Sequence, residues 1–302
     1  MSLPETQHGA RGLFVRRSQK NGWIPWLVLL LAGVLQAVSL AWPVAMPPGL
    51  GWTGLTQGQP LWWLQGLALT SLVLLLRASA SWRLAALRGW IFVTVWLACT
   101  FGWLFTSMHI YGGLAAPLAV LAVLALAALL ALYYAAACAV FRRLAPVHPV
   151  GAALVFAALW LLAELARGVL LTGFGWGAIG YAHLAGPLAW LLPWGGLYGV
   201  SFVAAALVAC VALGWLAALA GRWREAFSAV LVLLALLLLP PWLPVPQGGS
   251  VGTLKVTLLQ GNIPQNEKFD TETGVLKALQ WYGEQLQRNQ SALVITPETA
   301  LP

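Results

Sequence analysis

Over roughly its first 240 residues the chain alternates long apolar runs with short polar joints, and beyond them the texture changes. The runs predict seven membrane-spanning helices, near 23–45, 61–76, 90–108, 114–140, 150–171, 197–220 and 226–239. The rule behind this count is that about 20 mostly apolar residues, at 1.5 Å rise each, cross a hydrocarbon core of about 30 Å. The second and seventh runs are short, and either draw on flanking apolar residues or cross where the bilayer thins. The stretch 172–196 is uncharged and apolar, yet it holds seven glycines and two prolines. It is expected to be interfacial or re-entrant rather than an eighth span, because irregular backbone at membrane depth is tolerated only against protein or a water-lined cavity. Such a stretch is a candidate wall for lipid access.

The run Pro-Pro-Trp-Leu-Pro-Val-Pro-Gln-Gly-Gly at 240–249 reads as a linker, stiffened by proline and released by glycine. Past it come a strand over 254–260, a helix capped by Asp270 or Thr271 and running to about 289, and a second strand over 292–296. Two apolar strands joined by a helix predict a parallel β-α-β unit with a right-handed crossover. Both strands then end on one edge of the sheet, where α/β proteins bind ligands. The expected organisation is a tail over 1–22, a transmembrane domain over 23–239, a linker over 240–250 and a truncated α/β domain over 251–302.

Composition sharpens the class. With 61% hydrophobic and 8% charged residues and a mean hydropathy of +0.83, the chain is far from the soluble average of about 25% charged. It reads as a polytopic α-helical membrane protein with a small polar C-terminal piece. The net charge of +8 does not mark a nucleic-acid binder, because the basic residues sit in short joints between apolar runs and form no face interleaved with aromatics. Eleven Lys and Arg fall in the N-terminal tail and every second joint, against Arg167 alone on the other side. The positive-inside rule then puts the N-terminus in the cytoplasm and, after seven spans, residues 251–302 outside it. Many of the 18 tryptophans lie near run ends, as in an interfacial belt. The tail and first run read as a signal-anchor.

Chemistry concentrates at the two strand ends. The first leads into Gln260-Gly261-Asn262 and the second into Pro297-Glu298-Thr299. Pro297 stiffens the backbone before Glu298, whose carboxylate, if partly desolvated, suits general-base work; a solvated or capping glutamate is the other reading. In the membrane region, Glu164 and Arg167 stand three apart inside an apolar run and can pair on one helix face. Ionisable residues there are functional candidates; a structural pair, or an Arg167 that binds a lipid phosphate, fits equally. Cys99, Cys138 and Cys210 are single residues inside apolar runs and read as buried structural thiols. His8, His109, His148 and His183 are isolated, in loops or tails, and no metal site is expected from them.

The segments Gln260-Gly261-Asn262-Ile263-Pro264-Gln265, Lys268-Phe269-Asp270 and Ile295-Thr296-Pro297-Glu298-Thr299-Ala300-Leu301-Pro302 resemble the start of the nitrilase-type domain of bacterial apolipoprotein N-acyltransferases. Glu164-Leu165-Ala166-Arg167-Gly168 with Leu171-Thr172-Gly173-Phe174-Gly175-Trp176 is similar to the segment before that family's lipid-facing loop. Gly102-Trp103 and Tyr111-Gly112-Gly113 match more loosely. The likeness runs from about the third span to residue 302. It implies a nitrilase-like (carbon-nitrogen hydrolase) sandwich beginning with the β-α-β unit, on the periplasmic side of the inner membrane.

The activity so implied moves a fatty acyl chain from a phospholipid to a cysteine thioester, and then to the α-amino group of the diacylglyceryl-cysteine of an apolipoprotein. No cofactor is implied. Glu298 stands where the family has its general base, Glu164, Arg167, Trp176, Gln260 and Asn262 are the candidate substrate-binding residues, and a lysine would stabilise the oxyanion. That lysine and the nucleophilic cysteine would lie beyond Pro302, so the chain as given is expected to be an inactive N-terminal fragment. Phe269 stands where tryptophan is expected, Gly175 where proline is expected, and the first seventy residues match poorly. The other readings are a membrane-embedded nitrilase-family amidase, and a non-enzymatic multi-span transporter, which would need more polar residues in its spans.

Overall fold

The computed structural model describes residues 22–47, 49, 53–238, 252–264, 267–268, 270–298 and 300. Apart from Gly22, the expected tail lies outside the described residues, as do the linker over 240–250 and Gln265, Phe269, Thr299, Leu301 and Pro302 of the quoted motifs. The chain divides into two compact units, residues 1–245 and 246–302.

The first unit is helical. Its longer helices are α1 (Ile24–Leu40), α2 (Trp62–Arg77), α3 (Trp82–Thr100), α4 (Ala116–Leu144), α5 (Pro149–Val169), α6 (Leu192–Leu219) and α7 (Trp223–Leu238). Among the described residues, four segments are long and apolar enough to cross a membrane: Trp82–Thr100, Ala116–Leu144, Pro149–Thr172 and Ala189–Leu219. Ile24–Leu40 and Trp62–Arg77 are shorter apolar helices. Proline in the first turn starts α1, α4, α5 and α6, where its missing N–H has no helical partner to lose.

The third helix departs from the expected 90–108. It begins eight residues earlier, at Trp82, where the Ser81 hydroxyl accepts the Leu84 N–H at 3.2 Å. Arg83 and Arg88, expected in a loop, lie inside it. Arg88 is buried because its guanidinium donates to the Leu75 carbonyl (2.6 Å) and the Ser79 hydroxyl (3.0 Å). The helix stops at Thr100, and residues 103–111 form a short helical turn and a π-helical turn.

Helices in an apolar solvent gain little from hiding apolar surface, so close van der Waals fit decides their packing. Small residues sit at the tight crossings. A Cβ on Gly89 would lie 2.5 Å from Cys138 Sγ, across the α3–α4 contact. One on Gly33 would lie 2.8 Å from the Phe92 carbonyl, across α1–α3, and one on Gly214 would lie 3.0 Å from Ala229 Cβ, across α6–α7. Between α3, α4 and α5, Trp96 stacks on Trp160 (6.0 Å) and Tyr134 meets both edge-on. Cys138 and Cys210 are buried, whereas Cys99 is exposed on α3.

The second unit holds β1 (Val256–Leu258), α8 (Gly274–Arg288) and β2 (Leu293–Ile295). The strands are parallel, with Val256 opposite Leu293, Thr257 opposite Val294 and Leu258 opposite Ile295. They are shorter than the apolar patterns over 254–260 and 292–296. The amphipathic α8 turns Ala278 and Tyr282, one helical turn apart, onto Leu259 and Ala300. Val256, Leu258, Leu293 and Ile295 leave one apolar face of this two-strand sheet exposed.

Candidate functional site

The parallel register brings the ends of β1 and β2 to one edge, and the Leu259 N–H still donates to the Ile295 carbonyl (2.9 Å) as the strands finish. Past that bond the two chains diverge and enclose a concavity of about 180 Å³. Gln260, Asn262 and Ile263 line it from the first strand end, Pro297, Glu298 and Ala300 from the second, and Lys268 and Tyr282 complete it. Three sequence candidates, Gln260, Asn262 and Glu298, therefore share one small site.

The turn after β1 is fixed from α8. The Gly261 N–H donates to the Tyr282 hydroxyl at 2.9 Å. Gly261 lies so close to the helix that a Cβ there would come within 3.0 Å of the Trp281 ring and 3.1 Å of the Tyr282 ring. Asn262 follows with φ of +49°, a left-handed conformation that asparagine accepts more readily than most residues. On the other side, Lys268 Nζ donates to the backbone carbonyl of Glu298 at 3.0 Å. The lysine thus fixes the backbone that carries the acid and sets a positive charge at the rim. Glu298 is exposed among the described residues, the solvated of the two readings its sequence left open.

Asp270 caps the turn before α8 rather than its first residue. Its carboxylate accepts the Glu272 N–H (2.9 Å) and the Thr273 hydroxyl (2.8 Å), and these bonds hold it below the usual carboxylate range, the Glu272 amide contributing most.

In the first unit, Glu164 and Arg167 are buried on α5, at 0% and 1% exposure. The expected i, i+3 ion pair does not form: among the described residues the ion pairs are Arg222–Glu225, Lys277–Glu267 and Arg288–Glu284. Both side chains reach the 172–196 stretch instead. Glu164 Oε1 accepts the Ile179 N–H (2.8 Å) and Trp160 Nε1–H (3.3 Å). Its Oε2 has no hydrogen bond of normal geometry, although Ser201 lies near enough to interact with the carboxylate. Arg167 donates to the Tyr134 hydroxyl (3.1 Å), the Phe174 carbonyl (2.8 Å) and the Trp176 carbonyl (2.5 Å).

That stretch is a chain of short 3-10 turns, Leu170–Thr172, Ile179–His183 and Ala189–Leu191. It is entered through positive φ at Leu171, Thr172 and Gly173. Glycine is required at the last of these, because a Cβ would collide with the Gly168 carbonyl. Gln65 of α2 closes the network by donating to the Ile179 carbonyl (2.5 Å) and meeting His183 Nε2 (2.9 Å). His183 is therefore buried and partnered, against the expectation of an isolated loop histidine. Trp176 itself is 63% exposed and lies on Trp103, ring centres 5.5 Å apart. The candidates fall into two groups: the strand-edge set in one unit, and Glu164, Arg167 and Trp176 in the other.

Sequence reasoning missed Lys268 and Tyr282 at the strand edge, and Gln65, His183, Ser201 and Trp103 around the irregular stretch. The four-residue spacing of Ala278 and Tyr282 marks a buried face of α8 and was a usable signal. Nothing local to Gln65 shows that its partners lie more than a hundred residues away.

Comparison with known proteins adds an independent finding. The family model described as the apolipoprotein N-acyltransferase N-terminal domain matches residues 45–211. A curated apolipoprotein N-acyltransferase of Verminephrobacter eiseniae is 51% identical over 296 residues, covering 92% of this chain and 52% of that protein. One from Ralstonia nicotianae is 40% identical over 281 residues, covering 90% and 52%. One from Azotobacter vinelandii is 37% identical over 296 residues, covering 94% and 52%. The chain spans about half the length of these curated relatives.

Proposed function

The chain belongs to the apolipoprotein N-acyltransferase family, and from that premise we propose that it forms the membrane part and the start of the catalytic domain of a lipoprotein N-acyltransferase. In this reading α1–α7 all cross the bacterial inner membrane. The arginine-bearing joints face the cytoplasm, and residues 251–302 lie on the periplasmic side as the first β-α-β unit of a nitrilase-like sandwich. The apolar face left open by Val256, Leu258, Leu293 and Ile295 supports a sheet that continues, since a two-strand sheet alone is marginal in water.

The reaction is a double displacement. Glu298 takes the proton of a cysteine thiol, the thiolate attacks a phospholipid ester, the C–S bond forms and the C–O bond breaks. The lysophospholipid alkoxide leaves with the proton. The α-amino group of a diacylglyceryl-cysteine then attacks the thioester; the C–N bond forms, the C–S bond breaks, and Glu298 takes the amine's proton while the thiol is restored. Cys99, Cys138 and Cys210 all belong to the first unit, so the proposal takes its thiol from sequence beyond Pro302. Gln260 and Asn262 border the reacting groups, and Trp176 meets the lipid. Glu164 and Arg167 act as positioning residues that hold the Trp176 segment. No step needs a cofactor.

The observation that carries this reading is the strand-edge concavity, in which Glu298 is presented from a backbone tethered by Lys268, opposite a turn tethered by Tyr282. A carboxylate fixed beside a thiol is the arrangement that nucleophilic acyl transfer requires. In the full-length protein, Glu298→Gln is expected to express normally and to lose the acyl-thioester adduct that mass spectrometry detects after incubation with labelled phospholipid. Adduct formation at the wild-type rate would remove Glu298 from the role of base.

A further inference from the structure

The short connections α2–α3, α4–α5 and α6–α7 meet at one end of the bundle. Arg142 Nε donates to the Ser79 carbonyl (2.8 Å), and Arg222 Nη1 reaches the Val147 carbonyl (3.4 Å), so each joint is tied to the next. Arg77, Arg83, Arg88, Arg142, Arg143, Arg222 and Arg224 all lie at this end, and Glu225, paired with Arg222 at 2.8 Å, is the acidic side chain among them. A bias of sign alone is what topology demands. Local crowding is a separate matter. Arg77 lies within electrostatic reach of Arg142 and Arg222, yet it makes no hydrogen bond or ion pair with any described residue. Two more cations beside a half-buried guanidinium leave a place for an anion.

The helix that carries Arg77 also forms one wall of an apolar groove. α2 and α7 both pack on α6 but leave a gap between them, and the gap has a volume of about 780 Å³, within the roughly 300–1,000 Å³ of ligand sites. Its walls include Leu74, Cys210, Val211, Trp215, Trp223 and Phe227. Leu74 is one helical turn before Arg77, and Trp223 follows Arg222, so the apolar trough runs out at the arginines. Charge lies at the end and hydrocarbon along the length, which is the pattern of one lipid molecule.

We propose that this groove binds an anionic phospholipid, one acyl chain against α6 between α2 and α7, and the phosphate held by Arg77 with Arg142 and Arg222. A zwitterionic headgroup offers the same phosphate, but its ammonium would enter a cluster with Glu225 as its acidic member. Anionic lipid is therefore preferred. The site is built wholly from residues of the first unit and does not depend on the acyl-transfer reading.

The test uses the full-length protein in detergent, titrated with phosphatidylglycerol and, separately, phosphatidylethanolamine, with bound lipids counted by native mass spectrometry. One phosphatidylglycerol is expected to bind ahead of phosphatidylethanolamine. Arg77→Gln should weaken it about fivefold, as one arginine at an anionic lipid contributes about 1 kcal/mol. Val211→Trp, at a 47% exposed groove position, should displace the lipid without disturbing the bundle. Arg83→Gln removes an equal charge from the same end, outside the groove, and should leave binding unchanged. Equal retention of both lipids would overturn the proposal. So would equal losses in Arg77→Gln and Arg83→Gln, which would mean a diffuse surface charge effect. If Val211→Trp keeps the full phosphatidylglycerol stoichiometry, the groove does not hold the chain and the assignment fails.

Discussion

Arg167→Gln is the substitution that separates holding a backbone segment from binding a substrate phosphate. In the wild type the guanidinium serves three acceptors, the Tyr134 hydroxyl and the carbonyls of Phe174 and Trp176, at a position 1% exposed. Hydrogen bonds inside membrane proteins are worth about 0.6 kcal/mol on average and about 1.7 at most, so losing three costs roughly 2–5 kcal/mol. Most of that falls on the irregular stretch, because two of the acceptors are its own carbonyls. Every 1.4 kcal/mol is a factor of ten, so two thirds of the lower bound, about 1.3 kcal/mol, raises local opening about tenfold. Hydrogen exchange followed by mass spectrometry reads this in peptides covering 173–186, where the Ile179 and Gly180 amides are bonded to Glu164 and Ser201. Arg167→Lys should recover less than half of the protection, since an ammonium cannot present the guanidinium's fixed fork to three acceptors. If Arg167→Gln speeds exchange by less than about threefold and instead only raises the KM for phospholipid, the arginine binds substrate directly and this reasoning fails.

Two further predictions concern the scaffold. Gly89→Val should lower the Tm of the full-length protein by several degrees, because overpacking costs about 1–3 kcal/mol and a Cβ at this site meets Cys138 Sγ at 2.5 Å; adding Cys138→Ala should restore part of the loss, and an unchanged Tm for the single variant would show that α3 and α4 separate freely. At Asp270, the Glu272 N–H and Thr273 hydroxyl favour the charged carboxylate in the folded protein, so its contribution is complete above the ordinary carboxylate pKa of about 3.9 and fades as pH falls through the lower folded value. Exchange protection around 270–280, corrected for intrinsic rates, should fall as the pH drops below about 4 in the wild type and hold steadier in Asp270→Asn; coincident profiles would dismiss the cap.

Legibility in the sequence followed the range of the forces involved. The β-α-β unit rests on local periodicity and on the Asp270 turn, and each end of it can be placed from a few neighbouring residues. Helix boundaries were legible at Pro25, Pro117 and Pro149, and misread after Ser81, where an arginine is absorbed: Arg88 reads as loop until its acceptors, Leu75 and Ser79, are known. Glu298, Gln260 and Asn262 could be brought together because parallel strands end on one edge by geometry. Tyr282 and Lys268 complete that site through the packing of α8 and a turn, which strand periodicity does not encode.

The Glu164–Arg167 spacing was a sound signal attached to the wrong partner, and the reason is the segment that follows. An i, i+3 pair is the natural reading when both charges face apolar surroundings, because each is then the other's best ligand. Residues 172–191, however, abandon the α-helix for 3-10 turns and positive φ, and so leave backbone N–H and C=O groups without ladder partners. Such groups are costly wherever water is absent. The carboxylate takes an orphan donor, the Ile179 N–H, and the guanidinium takes orphan acceptors, the Phe174 and Trp176 carbonyls. Each charge gains directed hydrogen bonds that a single ion pair could not supply, and the irregular backbone gains the partners it lacks. The same glycines and prolines that mark the stretch as non-helical in the sequence therefore also account for two buried charges on one helix face that do not pair. Removal of either charge should loosen this stretch more than it loosens α5 itself.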